Sequence, residues 1–360
     1  MLPLNEFTKL DQSHHALLQN LTETKSELVR QSNVVVIIPF YNGSKFIERS
    51  VRSIFEQTIP ATEVIVVNDG SEDSESNFLA DLVKKYTFTV INKANGGQGS
   101  ARNAGVAASK SKYICFLDQD DFYLPNHIET LLNAIPKNDT RLGFVYADLY
   151  EADEDGNIVR MSMVKDHSDH PKRDIVKLLG RDMYVLPSAS IISRKSFQEV
   201  GGFDPQFMGY EDDDLFLRIF RAGYSNYFVD EPVTVWCIHL GSTSYSVRMS
   251  RSRWKYFCKL TDLYPDEAAK ARFFFRDLLL PRFGPLFIKD AIKAKLLSKP
   301  DLPELLEILR SFSNMVQENA SVPTAYKLKL RIAIYLLESF PASFVKALLK
   351  RSRYGAALAL

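Results

Sequence analysis

Three acids stand at the end of a short apolar run in Phe116-Leu-Asp-Gln-Asp-Asp121, and four more follow one another in Gly209-Tyr-Glu-Asp-Asp-Asp-Leu-Phe-Leu-Arg218. Carboxylates crowded at the end of a strand repel one another unless positive charge sits among them. A hard divalent ion such as Mg2+ or Mn2+ supplies that charge and keeps coordination positions open for water or phosphate oxygens. The plainer reading of the first cluster is solvated loop acids ahead of the helix that follows Pro125. In the second, one or two acids are favoured by the dipole of a helix start. Four exceed that need, and crowding them raises the pKa of some, which suits a general base. A third segment, Asn95-Gly-Gly-Gln-Gly-Ser-Ala-Arg-Asn-Ala-Gly105, is a glycine-rich loop entering a helix. Its glycines let backbone approach a ligand, and the helix N-terminus and Arg102 offer positive potential to phosphate. It lacks the Gly-Lys-Ser/Thr ending of a Walker loop, and Gly96-Gly-Gln-Gly99 does not match the dinucleotide fingerprint.

The elements that must hold these residues alternate. Val34 to Ile38, Glu63 to Val67 and Tyr113 to Leu117 are continuous apolar runs, read as strands buried on both faces, and each ends in polar residues. Helical patterns lie between them over Ser44 to Gln57, Glu72 to Lys85 and Gly99 to Ser109. This order implies βαβ units and a mostly parallel sheet with helices on both faces, in which ligands bind beyond the carboxyl ends of the strands. Gly143 to Arg160 reads as two strands turning at Asp155-Gly156, and Lys165 to Arg181, polar and aperiodic, as a mobile loop over the site. Ser188 to Ser193, a helix from about Asp212 to Ala222 and a strand from Val233 to Ile238 follow. Residues 1–32 read as an N-terminal helical segment and 249–360 as a helical region with boundaries at Pro265, Pro281, Pro300 and Pro323.

The 45 Lys and Arg against 44 Asp and Glu argue against binding nucleic acid through bulk charge. With 46% hydrophobic residues and a mean hydropathy of −0.14, the composition is that of an ordinary globular protein. Cys115, Cys237 and Cys258 are too few and too scattered for a disulfide framework or a zinc ribbon. The first residues carry acids and no apolar core, so no secretory signal is expected, and no run reaches the length of a membrane span. A cytoplasmic protein is the expectation.

The ordered set Pro39-Phe-Tyr-Asn42, Asn68-Asp-Gly-Ser71, Ala101-Arg-Asn-Ala-Gly105, Phe116-Leu-Asp-Gln-Asp-Asp121, Gly201-Gly-Phe-Asp204 and Glu211-Asp212 resembles the family 2 glycosyltransferases of the GT-A fold, over roughly residues 33 to 240. The resemblance implies a GT-A catalytic domain over 33–248 that transfers a sugar from a nucleoside diphosphate sugar with inversion, uridine being the default base. It implies that Pro39 and Tyr41 line the base pocket, that Asp69 reads the base edge, and that Arg102 lies near the donor. Asp118 is then the ribose or sugar contact and Asp120 the metal ligand, with Mn2+ or Mg2+ as cofactor. Asp212 is the catalytic base and Glu211 orients the acceptor, a glycan, polysaccharide or lipid-linked hydroxyl. His239, which follows the strand at 233–238, matches a further metal or diphosphate contact. His14, His15 and His127 read as structural, whereas His167 and His170 fall in the loop, where they are candidates for contact with the acceptor.

Two rivals remain at this level. A non-catalytic nucleotide- or glycan-binding subunit of a synthase would be expected to lose Asp120 or Asp212, and both are present. A sugar nucleotidyltransferase would carry a glycine-rich first loop where Pro39-Phe-Tyr-Asn42 stands. The tail from Ala333 places Phe, Val and Leu at helical spacing, with Lys346, Lys350, Arg351 and Arg353 near its end. That pattern suits a helix lying peripherally on the inner face of an anionic membrane, or one packed on its neighbours or across a homodimer.

Overall fold

The computed structural model describes residues 32–239 and 246–351. The expected N-terminal helix falls almost wholly outside the described residues, as do His14, His15 and Arg353. The chain divides into two compact units. One is an α/β unit running to Lys172 and taking in 184–205 and 212–239; the other is helical and comprises 173–183, 206–211 and the chain from 240 onward.

The α/β unit begins with β1 (Val34–Phe40), α1 (Ser44–Phe55), β2 (Glu63–Asn68), α2 (Asp73–Lys85), β3 (Thr89–Asn92), α3 (Gln98–Ala108), β4 (Tyr113–Phe116), β5 (Phe122–Tyr123) and α4 (His127–Asn133). It continues with β6 (Leu142–Ala152) and β7 (Ile158–Arg160). The helical unit contributes α5 (Ile175–Gly180), after which come β8 (Ser190–Ser193), α6 (Arg194–Glu199), α7 (Glu211–Arg221) and β9 (Ser225–Cys237). The strands form one sheet in the order β3-β2-β1-β4-β8-β6-β9-β5, with β7 beside β6.

β1 explains the two-layer cover. Val34, Val36, Ile38 and Phe40 share a core cluster with Ile47, Val51 and Ile54 of α1 and with Leu79 and Leu82 of α2. On the opposite face, Ile37 meets α3 at Gly105, where a β-carbon would lie 2.5 Å from Ile37 Cγ2. Successive strand residues point to opposite faces, so a strand that is apolar and buried at every position, as β1 is, needs helices on both sides.

The α/β class is as expected, and β1, β2, β3 and β4 pair in parallel. Beyond β4 the sheet is mixed, since β8 is antiparallel to both β4 and β6, while β6 and β9 run parallel. The sequence reading placed only Val233 to Ile238 in the last strand, whereas β9 begins at Ser225. Asp230, Glu231 and Pro232 hid its first half, and the β6–β9 register shifts between Ala147 and Asp148, where Asp148 faces Pro232. Proline lacks the amide that an unbroken ladder requires, and such irregularities accommodate it.

The stretch 165–181 is not a free loop. Its helix α5 is capped by Asp174, whose carboxylate accepts from Val176 N at 2.9 Å. In the α/β unit, His170 Nε2 donates to Val164 O at 2.9 Å, its Nδ1 pairs with Tyr146 Oη, and its ring stacks on Phe228. Lys172 is buried and exchanges backbone hydrogen bonds with the Asn226 side chain. Of the polar residues that suggested mobility, His170 and Lys172 bond inward, while Lys165, Asp166 and Asp169 are exposed.

The helical unit continues with α8 (Val247–Leu263), a π-helical turn at Phe275–Leu279, α9 (Leu280–Leu296), α10 (Leu302–Glu318), α11 (Thr324–Ser339) and α12 (Ala342–Arg351). Its core is aromatic, with Phe257 against Phe275, Phe283, Phe287 and Phe312. No helix among the described residues is long and apolar enough to cross a membrane.

Candidate active site

Parallel pairing brings the predicted site to one edge. Phe40 is level with Asn68 and Ile37 with Phe116, so Tyr41, Asp69 and Asp118 leave three adjacent strands at their carboxyl ends. From the other side of the sheet, β5 pairs with β9 at Phe122 and Val235, which brings Asp120 and Asp121 beside Cys237 and His239.

The three acids of the first cluster meet three different fates. Asp118 Oδ1 accepts from Arg102 Nη2 at 2.6 Å and from Gln98 Nε2 at 2.7 Å. Asp120 Oδ2 pairs with His239 Nε2 at 2.7 Å, and the imidazole stacks on Phe46. Asp121 is buried and accepts from Cys237 N at 3.0 Å, which ties the acidic loop to the end of β9. Burial, and then the charge of Asp118, raises the Asp120 pKa above the usual carboxylate value.

Arg102 is only 1% exposed and lies against the rings of Phe116 and Phe203. Its guanidinium is aimed at Asp118. Its neighbour Asn103 clasps Phe203 through both backbone groups, at 2.8 and 2.9 Å. Gly202 has φ +70, and a β-carbon there would strike Asn103 Oδ1 at 2.7 Å. The Ala-Arg-Asn-Ala-Gly and Gly-Gly-Phe-Asp segments therefore interlock, and both support the acidic loop.

Asp69 is buried and faces the glycine-rich loop. It accepts from Gly97 N at 2.7 Å, from Gly96 N at 3.0 Å and from Lys93 Nζ at 2.5 Å. Pro39 lies within β1, and Tyr41, half exposed, follows it. Tyr41 N donates to Gln119 Oε1 at 2.9 Å and its carbonyl accepts from Gln119 Nε2 at 3.2 Å. Gly43 leaves room for that amide, since a β-carbon would collide with it. Ser50 Oγ donates to the carbonyls of Gln119 and Asp121. Gln98, Gln119 and Ser50 were missed from sequence. Gln119 stands between two of the acids, and only its pairing with Tyr41 gives it a role.

The second acidic run is also divided rather than crowded. Asp214 bonds Arg218 at 2.8 Å, and Arg218 donates to the carbonyls of Val200 and Gly202. Glu211 is buried and turns back to accept from Gly209 N at 2.8 Å. Asp213 is buried too, and its charge acts on Lys172, whose pKa burial lowers to about 8. Asp212 keeps partial exposure while its Oδ1 accepts from Asp213 N at 2.8 Å. Within the helical unit, the stretch leading to Glu211 is fastened to α8. Met208 N donates to Ser252 Oγ at 2.8 Å, Arg253 Nε to Tyr210 Oη at 3.2 Å, and Arg253 also pairs with Asp290.

Among the described residues no three His, Cys, Asp or Glu side chains converge as a metal site. A carboxylate and an imidazole at contact distance, both partly exposed, fit a two-point anchor whose other positions a ligand and water would fill. His127 is buried, stacked on Tyr123, and bonded through Nδ1 to Thr234 and Val233, which is the structural role expected of it.

Comparisons with known proteins bear on the family and the fold. The glycosyl transferase family 2 model matches residues 35–201, and a second model, described as the N-terminal domain of galactosyltransferase, matches 187–236. An uncharacterised glycosyltransferase of Rickettsia prowazekii is 32% identical over 211 residues, 59% of this chain and 65% of that protein. The putative glycosyltransferase EpsH of Bacillus subtilis is 28% identical over 243 residues, covering 66% of this chain and 68% of its own. The chain spans between about a third and two thirds of the length of the first Rickettsia relatives it matches. In fold it is similar to S. aureus TarS in complex with UDP-GlcNAc, with TM-score 0.58 and 19% identity over 85% of this chain and 87% of that one. It is also similar to the mannosyltransferase PcManGT of Pyrobaculum calidifontis in complex with GDP-Man and Mn2+, with TM-score 0.51 and 17% identity over 91% of this chain and 84% of that one.

Proposed function

Because the chain belongs to glycosyl transferase family 2 through residues 35–201, we propose that it is a metal-dependent inverting glycosyltransferase. It moves a sugar from a nucleoside diphosphate sugar to a hydroxyl of a glycan, polysaccharide or lipid-linked acceptor. The observation that carries the reading is the meeting of Asp118, anchored by Arg102, with the Asp120–His239 pair at the carboxyl ends of the strands. Uridine is the base of the donor, in keeping with the UDP-GlcNAc complex of TarS.

In this reading Pro39 and Tyr41 form the base end of the donor pocket, with Asp69 at the base edge while it also holds the glycine-rich loop. Asp118 takes a ribose or sugar hydroxyl. Asp120 and His239 would hold Mn2+ or Mg2+, the imidazole favouring the softer Mn2+, and the ion would neutralise the departing diphosphate. Asp212 takes the proton of the acceptor hydroxyl as its oxygen attacks the anomeric carbon. The bond from that carbon to the diphosphate oxygen breaks on the opposite face, its electrons leave with the diphosphate, and configuration inverts. Glu211, held by Gly209 N, orients the acceptor. The donor acts at the cytoplasmic face.

A donor screen that follows nucleoside diphosphate release, with and without Mn2+, tests the reaction and identifies base and sugar together. With the donor so found, Asp212→Asn should bind nucleotide as the wild type does and turn over at least about 10²-fold more slowly. Wild-type turnover in that variant would remove Asp212 as the base.

A further inference from the structure

An exposed apolar stripe begins on α11, just ahead of the tail that starts at Ala333, and runs on into it. In α12, Val345 is buried. In α11, Leu330 and Leu337 are buried, whereas Leu328, Ile332 and Tyr335 are 56%, 49% and 61% exposed. At about 100° per residue these three lie on one face, roughly opposite Leu330 and Leu337. α11 is therefore apolar on two sides, and α10 packs on it through only one face's worth of buried residues. The exposed side continues onto α12. Tyr335 meets Phe340, Phe340 stacks on Phe344, and Phe344 and Leu348 are 40% and 39% exposed.

Charge indicates what covers this surface. From 324 to 351 the sequence carries Lys327, Lys329, Arg331, Lys346, Lys350 and Arg351 against Glu338 alone, and Glu338 is itself bonded to Arg310. The whole chain has a net charge of only +1, so this excess is local. Exposed Lys329 and Arg331 flank the Leu328, Ile332 and Tyr335 stripe.

We propose that α11 and the start of α12 form a peripheral docking surface for an anionic lipid bilayer. The apolar stripe enters the boundary between headgroups and acyl chains while the flanking bases meet lipid phosphates. A second copy of the chain would bring like charges together on each side of the same stripe, which disfavours a homodimer through this face. The inference uses none of the residues assigned to donor or acceptor, so it stands or falls separately from the reaction proposed above.

The test is co-sedimentation of the full chain with vesicles of phosphatidylcholine containing phosphatidylglycerol, and with phosphatidylcholine alone. Binding is expected to the anionic vesicles at low salt, with release at high salt. Leu328→Ser/Ile332→Ser/Tyr335→Ser and Lys329→Glu/Arg331→Glu should each reduce the bound fraction by roughly tenfold or more while unfolding temperature and nucleotide release stay at wild-type values. Absence of wild-type binding at low salt, or binding undiminished in the triple variant, overturns the proposal. So does a concentration-dependent dimer that the triple variant abolishes in the absence of vesicle binding, which would give the face to a second copy.

Discussion

Asp118, Asp120 and Asp121 are near neighbours with different work because each meets a different counter-group. Arg102 balances Asp118, the amide of Cys237 engages buried Asp121, and Asp120 has the His239 imidazole beside it. In the function proposed above, a diphosphate entering this site would add charge that a divalent ion would offset, since like charges about 4 Å apart near a protein surface repel by about 4 kcal/mol per pair. Calorimetry with the nucleoside diphosphate should therefore show affinity rising with Mn2+ in the wild type and not in Asp120→Ala. Equal enhancement in both proteins would remove Asp120 as the ligand. The acids themselves could be picked out from their types and spacing. Gln119 and Gln98 could not, because an amide announces no chemistry until its partner is known.

At the scale of elements, close approach is what converts short motifs into a rigid edge. Gly105 lets α3 lie against β1, and this helix carries Arg102 and Asn103 to their partners. Gly105→Ala places a methyl against Ile37, and overpacking of this kind costs about 1–3 kcal/mol. Urea unfolding of Gly105→Ala, Ile37→Ala and the double variant measures it, and the double variant should lose less than the sum of the single ones. Strict additivity would mean that the helix shifts away without strain. The motif spacing made α3 legible, while the reason for its terminal glycine lay in a strand more than sixty residues earlier. The same limit hid the first half of β9 and the anchoring of His170 and Lys172, which look solvated until Asn226, Tyr146 and Phe228 are placed against them.

For the whole molecule, acid stability depends on what burial does to His127. Burial lowers its pKa to about 3, against the usual 6.5. Between those values the unfolded chain binds a proton that the folded chain does not, so stability falls as pH falls below about 6.5, by about 1.4 kcal/mol per unit. His127→Gln, which can still donate to Val233 O, should lose about 2 kcal/mol less than the wild type between pH 7 and pH 5 in urea unfolding. Comparing the two proteins cancels the other titrating groups, and equal losses would show that the imidazole takes up its proton in the folded state. The sequence by itself determined the alternation of strand and helix and the acids at the strand ends, because apolar periodicity and short-range spacing are local properties, and its ordered motifs carried the resemblance to family 2 glycosyltransferases. Tertiary structure alone decided which acid meets Arg102 and which meets His239. It also decided that the four acids of α7 face different partners, and that an exposed apolar face runs from α11 into the tail. Those outcomes depend on contacts between residues far apart in the chain, and a periodic pattern can say that a helix has an apolar face but not which neighbour, if any, covers it.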